Sequence, residues 1–296
     1  MLTLLAPAKI NLSLDVTGKL NNGYHVLETI MQTISLYDEV SLEKTERGIE
    51  IECDNPLVPV DENNICYKAA KIFLQRASCY GGAKISIKKI IPVSAGLAGG
   101  SSDAAAVIEG LNKLYEKYLP MEKLKQFGAE CGADVPYCLT GGTCLAQGIG
   151  EKITKLKSIP VTHLVLIVPE FPVSTAWVYQ NYRAEDVIRH PDTGALIECL
   201  HKGDVLGLVR GMENVLESVT VTKYPEIEGI KGALKKRGAI GTLMSGSGPS
   251  VFGFFESQKE ALKALSALKR RHKQIFKAYT VNGGRIYVEA IKDKNR

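Results

Sequence analysis

The stretch "PVSAGLAGGSSDAAA", residues 92–106, constrains the fold more than any other part of this 296-residue chain. It places three glycines between a predicted strand, residues 83–92, and a predicted helix, residues 102–118. Glycine allows positive φ angles and lets a ligand come close to the backbone. With Ser101 and Ser102 as the expected N-caps, free N–H groups and the positive end of the helix dipole converge there. Such a place can bind phosphate; an ordinary tight turn before a serine-capped helix is the alternative.

Better-known phosphate loops do not occur in this sequence. It has no GxxxxGK[ST] stretch, and no GxGxxG stretch followed about 20 residues later by an acidic residue. The HRD and DFG signatures of protein kinases are also absent. If the loop binds phosphate, it therefore belongs to another class of nucleotide-binding protein.

Composition indicates an ordinary globular protein, since 45% of the residues are hydrophobic and 23% are charged. The length allows two domains. The net charge of +5 would favour anionic ligands without requiring nucleic acid. Two basic runs, residues 231–238 and 268–274, are predicted to be solvated helix faces, with an RNA-binding patch as the alternative.

The seven cysteines include no CxxC pair, which favours reduced thiols and a cytoplasmic protein without a zinc site or a disulfide framework. Lys9 interrupts the apolar start of the chain before a signal-peptide core could form. The longest aliphatic runs are too short to span a bilayer. We therefore expect no targeting segment and no membrane partner.

The order of periodic segments predicts strands over the first fifty residues, including a hairpin over residues 40–53. Helices are predicted near residues 64–78 and 121–131, and a short one begins at Asp134. A buried strand follows near residue 163, and residues 239–255 read as strand, glycine turn, strand. We place a domain boundary near residue 157.

Three separate stretches carry a family resemblance. "PAKINLSLDVTGKLNNGYH", "PVSAGLAGGSSDAAA" and "LMSGSGPSVFGFF" resemble, in order and spacing, the three motifs of the galactokinase, homoserine kinase, mevalonate kinase and phosphomevalonate kinase (GHMP) superfamily. The resemblance implies an α+β, two-domain fold with the active site in the cleft between the domains. Residues 1–157 would form a domain like domain 2 of ribosomal protein S5, and residues 158–296 an α/β sandwich-like domain. It also implies a kinase that uses ATP and Mg²⁺.

Within the superfamily, "PAKINL", "GYH" and "GADVPYCL" look most like the branch that acts on a cytidine diphosphate-linked methylerythritol. The implied reaction is ATP-dependent phosphorylation of the 2-hydroxyl of that small molecule, on the non-mevalonate route to isoprenoid precursors. The implied protein is a monomer or homodimer that binds neither nucleic acid nor membrane. The alternatives are a kinase of the mevalonate or homoserine type and an RNA-binding protein with an S5-like domain.

The resemblance also assigns roles to individual residues. Lys9 and Asp134 match the catalytic pair, although alone Lys9 would read as a solvated charge and Asp134 as a helix N-cap. Whether Asp134 takes the proton or only orients the hydroxyl is left open, as are the metal ligands. The implied nucleotide-binding residues are Pro92, Gly96, Leu97, Ala98, Gly99, Gly100, Ser101, Ser102 and Asn64, of which Asn64 reads equally well as an N-cap. Ala98 stands where the family usually has a glycine.

The substrate-binding residues that the resemblance implies come from all three motifs and from the stretch "VSTAWVYQ". His25 would read the edge of the cytosine, while Tyr24 and Tyr179 would stack on the base. By default, Tyr24 and His25 would be ordinary hairpin residues. The full implied set is Asn11, Tyr24, His25, Thr175, Tyr179, Gly246 and Gly248. The last two would lie against the glycine loop and brace the substrate phosphates, or simply form a hairpin turn.

Overall fold

The computed structural model of the chain describes residues 1–21, 23–283 and 286–288. The first half alternates strands with four helices, as the sequence predicts. The strands are β1 (Leu2–Lys19), β2 (His25–Thr45), β3 (Ile49–Cys53), β4 (Gly82–Lys88), β5 (Thr143–Gly148) and β6 (Lys152–Lys155); the helices are α1 (Ile65–Arg76), α2 (Gly99–Leu114), α3 (Met121–Cys131) and α4 (Val135–Thr140).

The second half forms its own four-stranded sheet, in which β7 and β9 are the central strands. Its strands are β7 (His163–Val168), β8 (Gly241–Met244), β9 (Val251–Phe255) and β10 (Gln274–Tyr279), and its helices are α5 (Thr175–Asn181), α6 (Thr193–Lys202), α7 (Val205–Gly211), α8 (Glu217–Lys223), α9 (Glu226–Lys235) and α10 (Gln258–Leu268). The last strand, β11 (Ile286–Val288), returns to the first sheet and pairs with residues 3–5 of β1. The expected two-domain α+β fold is confirmed, while a single boundary near residue 157 stays a prediction.

The predicted hairpin over residues 40–53 is wrong. In the first sheet β4 lies between β2 and β3, and β3 pairs with β4 in parallel from Ile49 to Cys53. The segment between β3 and β4 contains α1, which packs Phe73 and Ala69 against the sheet. A parallel pair needs such a crossover, because a tight turn can join only antiparallel neighbours. The local turn signal in the sequence could not reveal that a later strand would insert.

The start of α2 also differs from expectation. Ser101 and Ser102 are not caps, because the helix already begins at Gly99. Ala98 is the N-cap residue, with φ of 55°, in the left-handed region that glycine adopts more easily. The glycine loop thus turns into the helix earlier than its serines suggested. Within the described residues, no helix combines the length and apolar character that crossing a membrane would require.

An irregularity in the pairing of β1 with β2 decides which side chains of β1 face the glycine loop. Leu4 and Ala6 pack into the core under α2, whereas Ala8 and Ile10 pack into the core shared with the second sheet. Strand alternation would put all four on one face, but the register with β2 shifts between Pro7 and Lys9. The shift turns Lys9 toward the side of the sheet on which the glycine loop lies.

Candidate active site

A cavity of about 1030 Å³ lies where the two halves of the chain meet. Its walls come from β1, the turn between β1 and β2, the segment before α1, the glycine loop and the start of α4. Helix α5 and the turn after β8 complete them. The predicted site residues that line it are Lys9, Asn11, Tyr24, His25, Asn64, Pro92, Gly96, Leu97, Ala98, Gly99, Gly100, Ser101, Asp134, Thr175, Tyr179 and Gly246. Two predicted residues, Ser102 and Gly248, lie behind these walls.

Lys9 is held at the centre of the cavity by three neighbours. Its ammonium donates to Asn11 Oδ1 at 2.8 Å and to the carbonyl oxygen of Gly96 at 3.1 Å. Asp134 Oδ2 lies 4.0 Å from the same nitrogen. Lys9 is only 5% exposed, so its charge faces the cavity and not bulk solvent. The expectation of a solvated strand lysine does not describe this residue.

Asp134 occupies the N-cap position of α4, yet within the described part of the chain its side chain makes no capping hydrogen bond. About a third of that side chain is exposed, and it faces the cavity opposite Lys9. A capping role would have turned the carboxylate back onto the helix N–H groups. The carboxylate is therefore available to a ligand beside the ammonium.

The glycine loop places bare backbone against the cavity. At the start of α2, no side chain of the described residues caps the first-turn N–H groups. Gly96 has φ of 75°, and a Cβ there would overlap the carbonyl oxygen of Ser245 in the opposite turn. Gly100 is open, since its Cβ would meet only Ile65, at 3.6 Å. Gly99 instead faces inward, where a Cβ would lie 3.0 Å from Ile91.

Asn11 and Ser245 join the glycine loop to β1. Asn11 donates from Nδ2 to Thr29 Oγ1 at 2.8 Å while its Oδ1 accepts from Lys9. Ser245 is fully buried, and its hydroxyl donates to the carbonyl oxygen of Gly96 at 3.0 Å. The backbone N–H of Asn11 donates to that same hydroxyl at 3.3 Å. All three motif stretches therefore meet around one ammonium.

An aromatic group lies at the other end of the cavity. The His25 ring stacks on the Tyr179 ring with centroids 5.4 Å apart and an interplanar angle of 25°, and Tyr182 meets His25 edge-on at 5.9 Å. Tyr24 lines the cavity beside them and is 61% exposed. Burial lowers the pKa of His25, and the nearby Lys19 lowers it further. A neutral imidazole both donates and accepts a hydrogen bond, as reading the edge of a nucleobase requires.

Asn64 is an N-cap and a cavity residue at once. Its Oδ1 accepts from the N–H of Cys66 at 2.8 Å, and its Nδ2 donates to the carbonyl oxygen of Pro59 at 2.6 Å. These bonds fix the preceding segment, whose Leu57 and Val58 give this part of the cavity an apolar wall. The N-cap reading of Asn64 is therefore confirmed, while its contact with a nucleotide stays a prediction.

Sequence reasoning missed a buried ion cluster beside the glycine loop. Lys89 pairs with Asp38 and, at 2.7 Å, with Asp103, and all three are almost completely buried. Asp38 also accepts from the N–H groups of Ile90 and Ile91. Burial raises the pKa of Asp103 to about 8; Lys89 opposes the rise, and the nearby Asp38 carboxylate adds to it. Lys89 lies in the predicted strand of residues 83–92, but no local sequence pattern indicated that Asp38 and Asp103 would pair with it.

Ser247 was also missed, although it stands inside the quoted glycine turn. It lines the cavity, and its hydroxyl lies 2.8 Å from that of Thr175. Thr175 begins α5, whose next turn carries Tyr179. The pair of hydroxyls therefore lies between the Lys9 region and the aromatic end. The sequence signal that could have identified Ser247 was its position between Gly246 and Gly248.

Comparisons with known proteins agree with this geometry. Residues 64–142 match the model of the GHMP kinases N terminal domain, and residues 196–274 match that of the GHMP kinases C terminal domain. A 4-diphosphocytidyl-2-C-methyl-D-erythritol kinase of Acetivibrio thermocellus is 49% identical over 280 residues, covering 95% of this chain and 99% of the relative. A protein of the same name from Clostridium botulinum (strain Eklund 17B / Type B) is 48% identical over 276 residues, covering 93% and 99%.

Solved structures give the same result. A crystal structure of 4-(cytidine 5′-diphospho)-2C-methyl-D-erythritol kinase superposes with a TM-score of 0.81 at 34% identity, covering 95% of this chain and 99% of that one. Homoserine kinase from Cytophaga hutchinsonii has a TM-score of 0.74 at 21% identity, covering 97% of each chain, which shows a shared fold alone. The sequence identity to the curated relatives extends over nearly their whole length. The chain belongs to the 4-diphosphocytidyl-2-C-methyl-D-erythritol kinase family of GHMP kinases.

Proposed function

We propose that this chain transfers the γ-phosphoryl group of ATP to the 2-hydroxyl of 4-diphosphocytidyl-2-C-methyl-D-erythritol, on the non-mevalonate route to isoprenoid precursors. The hydroxyl oxygen bonds to the γ-phosphorus, ADP leaves, and the hydroxyl proton is lost. Family membership supports the class of reaction, and the cavity supports the assignment of roles to residues.

The observation that carries this proposal is the pairing of Lys9 and Asp134 beside the glycine loop. Their charged atoms are 4.0 Å apart, so a substrate hydroxyl between them would contact both. Asp134 would accept the proton of the hydroxyl or orient it, and the Lys9 ammonium would stabilise the charge that develops on the transferring group. Phosphoryl transfer needs little more than such positioning and charge stabilisation.

The nucleotide would lie along the glycine loop. The uncapped N–H groups at the start of α2 would bind phosphate oxygens, with the helix dipole adding to the attraction. The apolar wall that Asn64 fixes would take the adenine ring. Gly100 has the open space that a close phosphate needs, whereas Gly99 supports the loop from behind against Ile91.

The residues near the loop fit a magnesium ion carried mainly by the triphosphate. Mg²⁺ keeps several waters and binds through one or two protein oxygens plus substrate phosphates. Among the described residues no cluster of three His, Cys, Asp or Glu could hold a metal by itself. Ser101 lines the cavity at the start of α2, so its hydroxyl is the proposed protein ligand. When bound, the ion would neutralise charge on the phosphates.

The cytidine end of the substrate would lie among the aromatic residues. Tyr24 and Tyr179 would stack on the base, and neutral His25 would hydrogen-bond to its edge. Because His25 now lies against Tyr179, the base would have to enter with a movement of the imidazole. Thr175 and Ser247 lie between this end and Lys9, where the diphosphate of the substrate would pass.

Phosphorus NMR tests the proposal directly. Purified protein is mixed with ATP, Mg²⁺ and, in separate samples, the cytidyl substrate, bare methylerythritol phosphate, mevalonate and homoserine. We expect a new phosphomonoester resonance and ADP only with the cytidyl substrate. Equal phosphorylation of bare methylerythritol phosphate would refute the cytidine assignment. Phosphorylation of mevalonate or homoserine instead would reassign the substrate.

A further inference from the structure

The turn between β8 and β9, residues 245–250, is the glycine turn. The stretch "NVLE", residues 214–217, hydrogen-bonds to its backbone and to the end of β8. Asn214 is 4% exposed, and its Nδ2 donates to the carbonyl oxygens of Met244 at 2.9 Å and of Gly246 at 2.8 Å. Its Oδ1 accepts from the N–H of Leu216 at 3.0 Å. Both donor hydrogens and the acceptor of this buried amide are thus used, which makes its orientation unique.

Glu217 holds the same strand end through the other backbone group. Its Oε1 accepts from the N–H of Met244 at 2.8 Å, and its Oε2 binds Lys231 at 2.6 Å. Met244 ends β8, an edge strand, so among the described residues its outward N–H and C=O have no neighbouring strand to bind. The side chains of Asn214 and Glu217 take the place of that strand.

A third residue completes this arrangement. Thr220 Oγ1 donates to the carbonyl oxygen of Ser247 at 3.2 Å. We call Asn214, Glu217 and Thr220 the turn clamp. It is fixed to β1 as well, because the N–H of Leu14 donates to the carbonyl oxygen of residue 213 at 2.9 Å and the N–H of residue 215 donates back to Leu14 at 3.0 Å.

The clamped turn forms one side of the space around the Lys9 ammonium. Gly246 has φ of 58°, and a Cβ there would lie 3.5 Å from Lys9 Nζ, 3.5 Å from Asn11 Oδ1 and 3.4 Å from the carbonyl oxygen of Gly96. A turn with glycines at 246 and 248 has much conformational freedom of its own. Something outside the turn must therefore fix the distance between its backbone and Lys9.

We propose that the turn clamp sets the position of this turn relative to Lys9, and that Asn214 and Glu217 are positioning residues for phosphoryl transfer. The inference rests on the proposed function, since it concerns the same ammonium. Loss of the clamp frees the Gly246 carbonyl to rotate and lets the wall beside Lys9 move. Displacements of about 1 Å at a reacting centre can cost about 10²-fold in rate.

The first test is Asn214→Asp, with Asn112→Asp as the matched control. The aspartate side chain is a close isostere that keeps the acceptor for Leu216 but loses both donors to the turn. Asn112 is a similarly buried amide that donates to Leu119 O at 3.2 Å and accepts from Leu119 N at 2.9 Å, away from the cavity. Each variant is assayed for kcat, for KM of ATP and for melting temperature, with the kinetics measured well below either midpoint.

We expect Asn214→Asp to lower kcat by about 10-fold to 100-fold, with less than about a twofold change in KM for ATP. Asn112→Asp should lose comparable melting temperature and keep its kcat. If Asn214→Asp turns over no more slowly than the control, the positioning role is overturned. A wild-type protein without transfer activity would overturn the proposed function and this inference together, so the two failures are distinguishable.

Glu217 supplies a second test that is independent of Asn214. Glu217→Gln and Glu217→Ala both remove the ion pair with Lys231, but only Gln keeps an oxygen for the N–H of Met244. The Gln variant should retain at least about fivefold more kcat than the Ala variant, in proportion to the hydrogen bond it preserves. Equal losses in the two variants would show that Glu217 acts only through its ion pair, and the clamp would be overturned.

Discussion

Two buried lysines face the same cavity and differ in what surrounds them. Lys9 has one carboxylate at 4.0 Å and otherwise neutral acceptors, the oxygens of Asn11 and Gly96. Lys89 has Asp38 and Asp103 in direct contact, and its side chain is 4% exposed. The charge of Lys89 is already balanced by the protein, whereas that of Lys9 is only loosely paired.

The difference separates a lysine that can act on a ligand from one that holds a loop in place. A loosely paired ammonium can stabilise charge that appears during a reaction, since its partner need not be displaced. An ammonium between two buried carboxylates mainly prevents their repulsion and desolvation from unfolding the site. We therefore expect substitutions at the two lysines to affect different quantities.

The largest expected effect on turnover comes from Lys9→Met. Removal of the cation beside Asp134 should lower kcat by about 10³, while the melting temperature changes little. Steady-state kinetics and thermal unfolding are measured together. Lys155→Met is the control, because Lys155 also donates to a backbone carbonyl of the first half but lies away from the cavity. Turnover within about tenfold of the wild type would remove Lys9 from the chemistry.

Lys89→Met should act on stability instead. It leaves the Asp38 carboxylate buried without its counter-charge, which typically costs about 3–5 kcal/mol of unfolding free energy. Urea unfolding measures the loss, and kcat well below the midpoint should change far less than in Lys9→Met. The comparison of the two lysines breaks down if Lys89→Met is stable and inactive.

The next largest effect on turnover is expected from Asp134→Asn. The change keeps size and removes charge, and we expect kcat to fall by about 10² with little change in melting temperature. Asp192→Ala is the contrasting control, because Asp192 is a true N-cap that accepts from the N–H of Ala195 at 2.9 Å. That control should lose about 1 kcal/mol of stability and keep its turnover. A fully active Asp134→Asn would return Asp134 to a structural role.

At the aromatic end, Tyr24→Ala or Tyr179→Ala should raise KM for the cytidyl substrate by about 5-fold to 150-fold, since a stacked base gains roughly 1–3 kcal/mol per contact. KM for ATP should stay nearly constant in both variants. Tyr118→Ala, a substitution at an exposed tyrosine away from the cavity, is the control. Parallel increases in both Michaelis constants would mean that these rings support the cavity generally and do not select cytidine.

The smallest effect on turnover is expected from the Lys89 cluster, which should instead make the stability depend on pH. Burial raises the pKa of Asp103 to about 8, so the folded protein holds a proton that the unfolded chain releases near pH 4. Between these values the folded state binds more protons, and stability should fall as pH rises toward 8. Asp103→Asn should flatten the decline in melting temperature between about pH 5 and 8. An unchanged slope would place the titrating group elsewhere.

Much of the fold could be predicted because its signals are local. The period of two in "AKINLSLDV" predicts β1, and the glycine loop marks the start of α2 to within three residues. The order of strands could not be predicted in the same way, since the insertion of β4 between β2 and β3 depends on contacts between distant segments. The register shift between Pro7 and Lys9 likewise cannot be read from the alternation of apolar residues, yet it decides which face of the sheet carries Lys9.

The residues of the candidate site also fall into those with a local sequence signal and those that only distant contacts reveal. Gly96 and Asn11, which line the cavity, could be singled out because they lie in stretches that resemble the motifs of a known family. Asn214 and Asp38 were missed because each lies in a stretch that carries no recognisable motif. Their importance comes only from the backbone groups and charges that folding brings to them.

The pairing of β11 with β1 has a consequence for how the protein is made. Residues 3–5 are synthesised long before residues 286–288, with which they pair. Until β11 has been synthesised, the outer edge of β1 therefore lacks the strand with which it pairs in the folded protein. Unpaired edges of this kind are where nascent chains associate with one another. The first sheet can be completed only after the strands of the second sheet have been synthesised, so among the described strands the edge of β1 is the last to gain its partner.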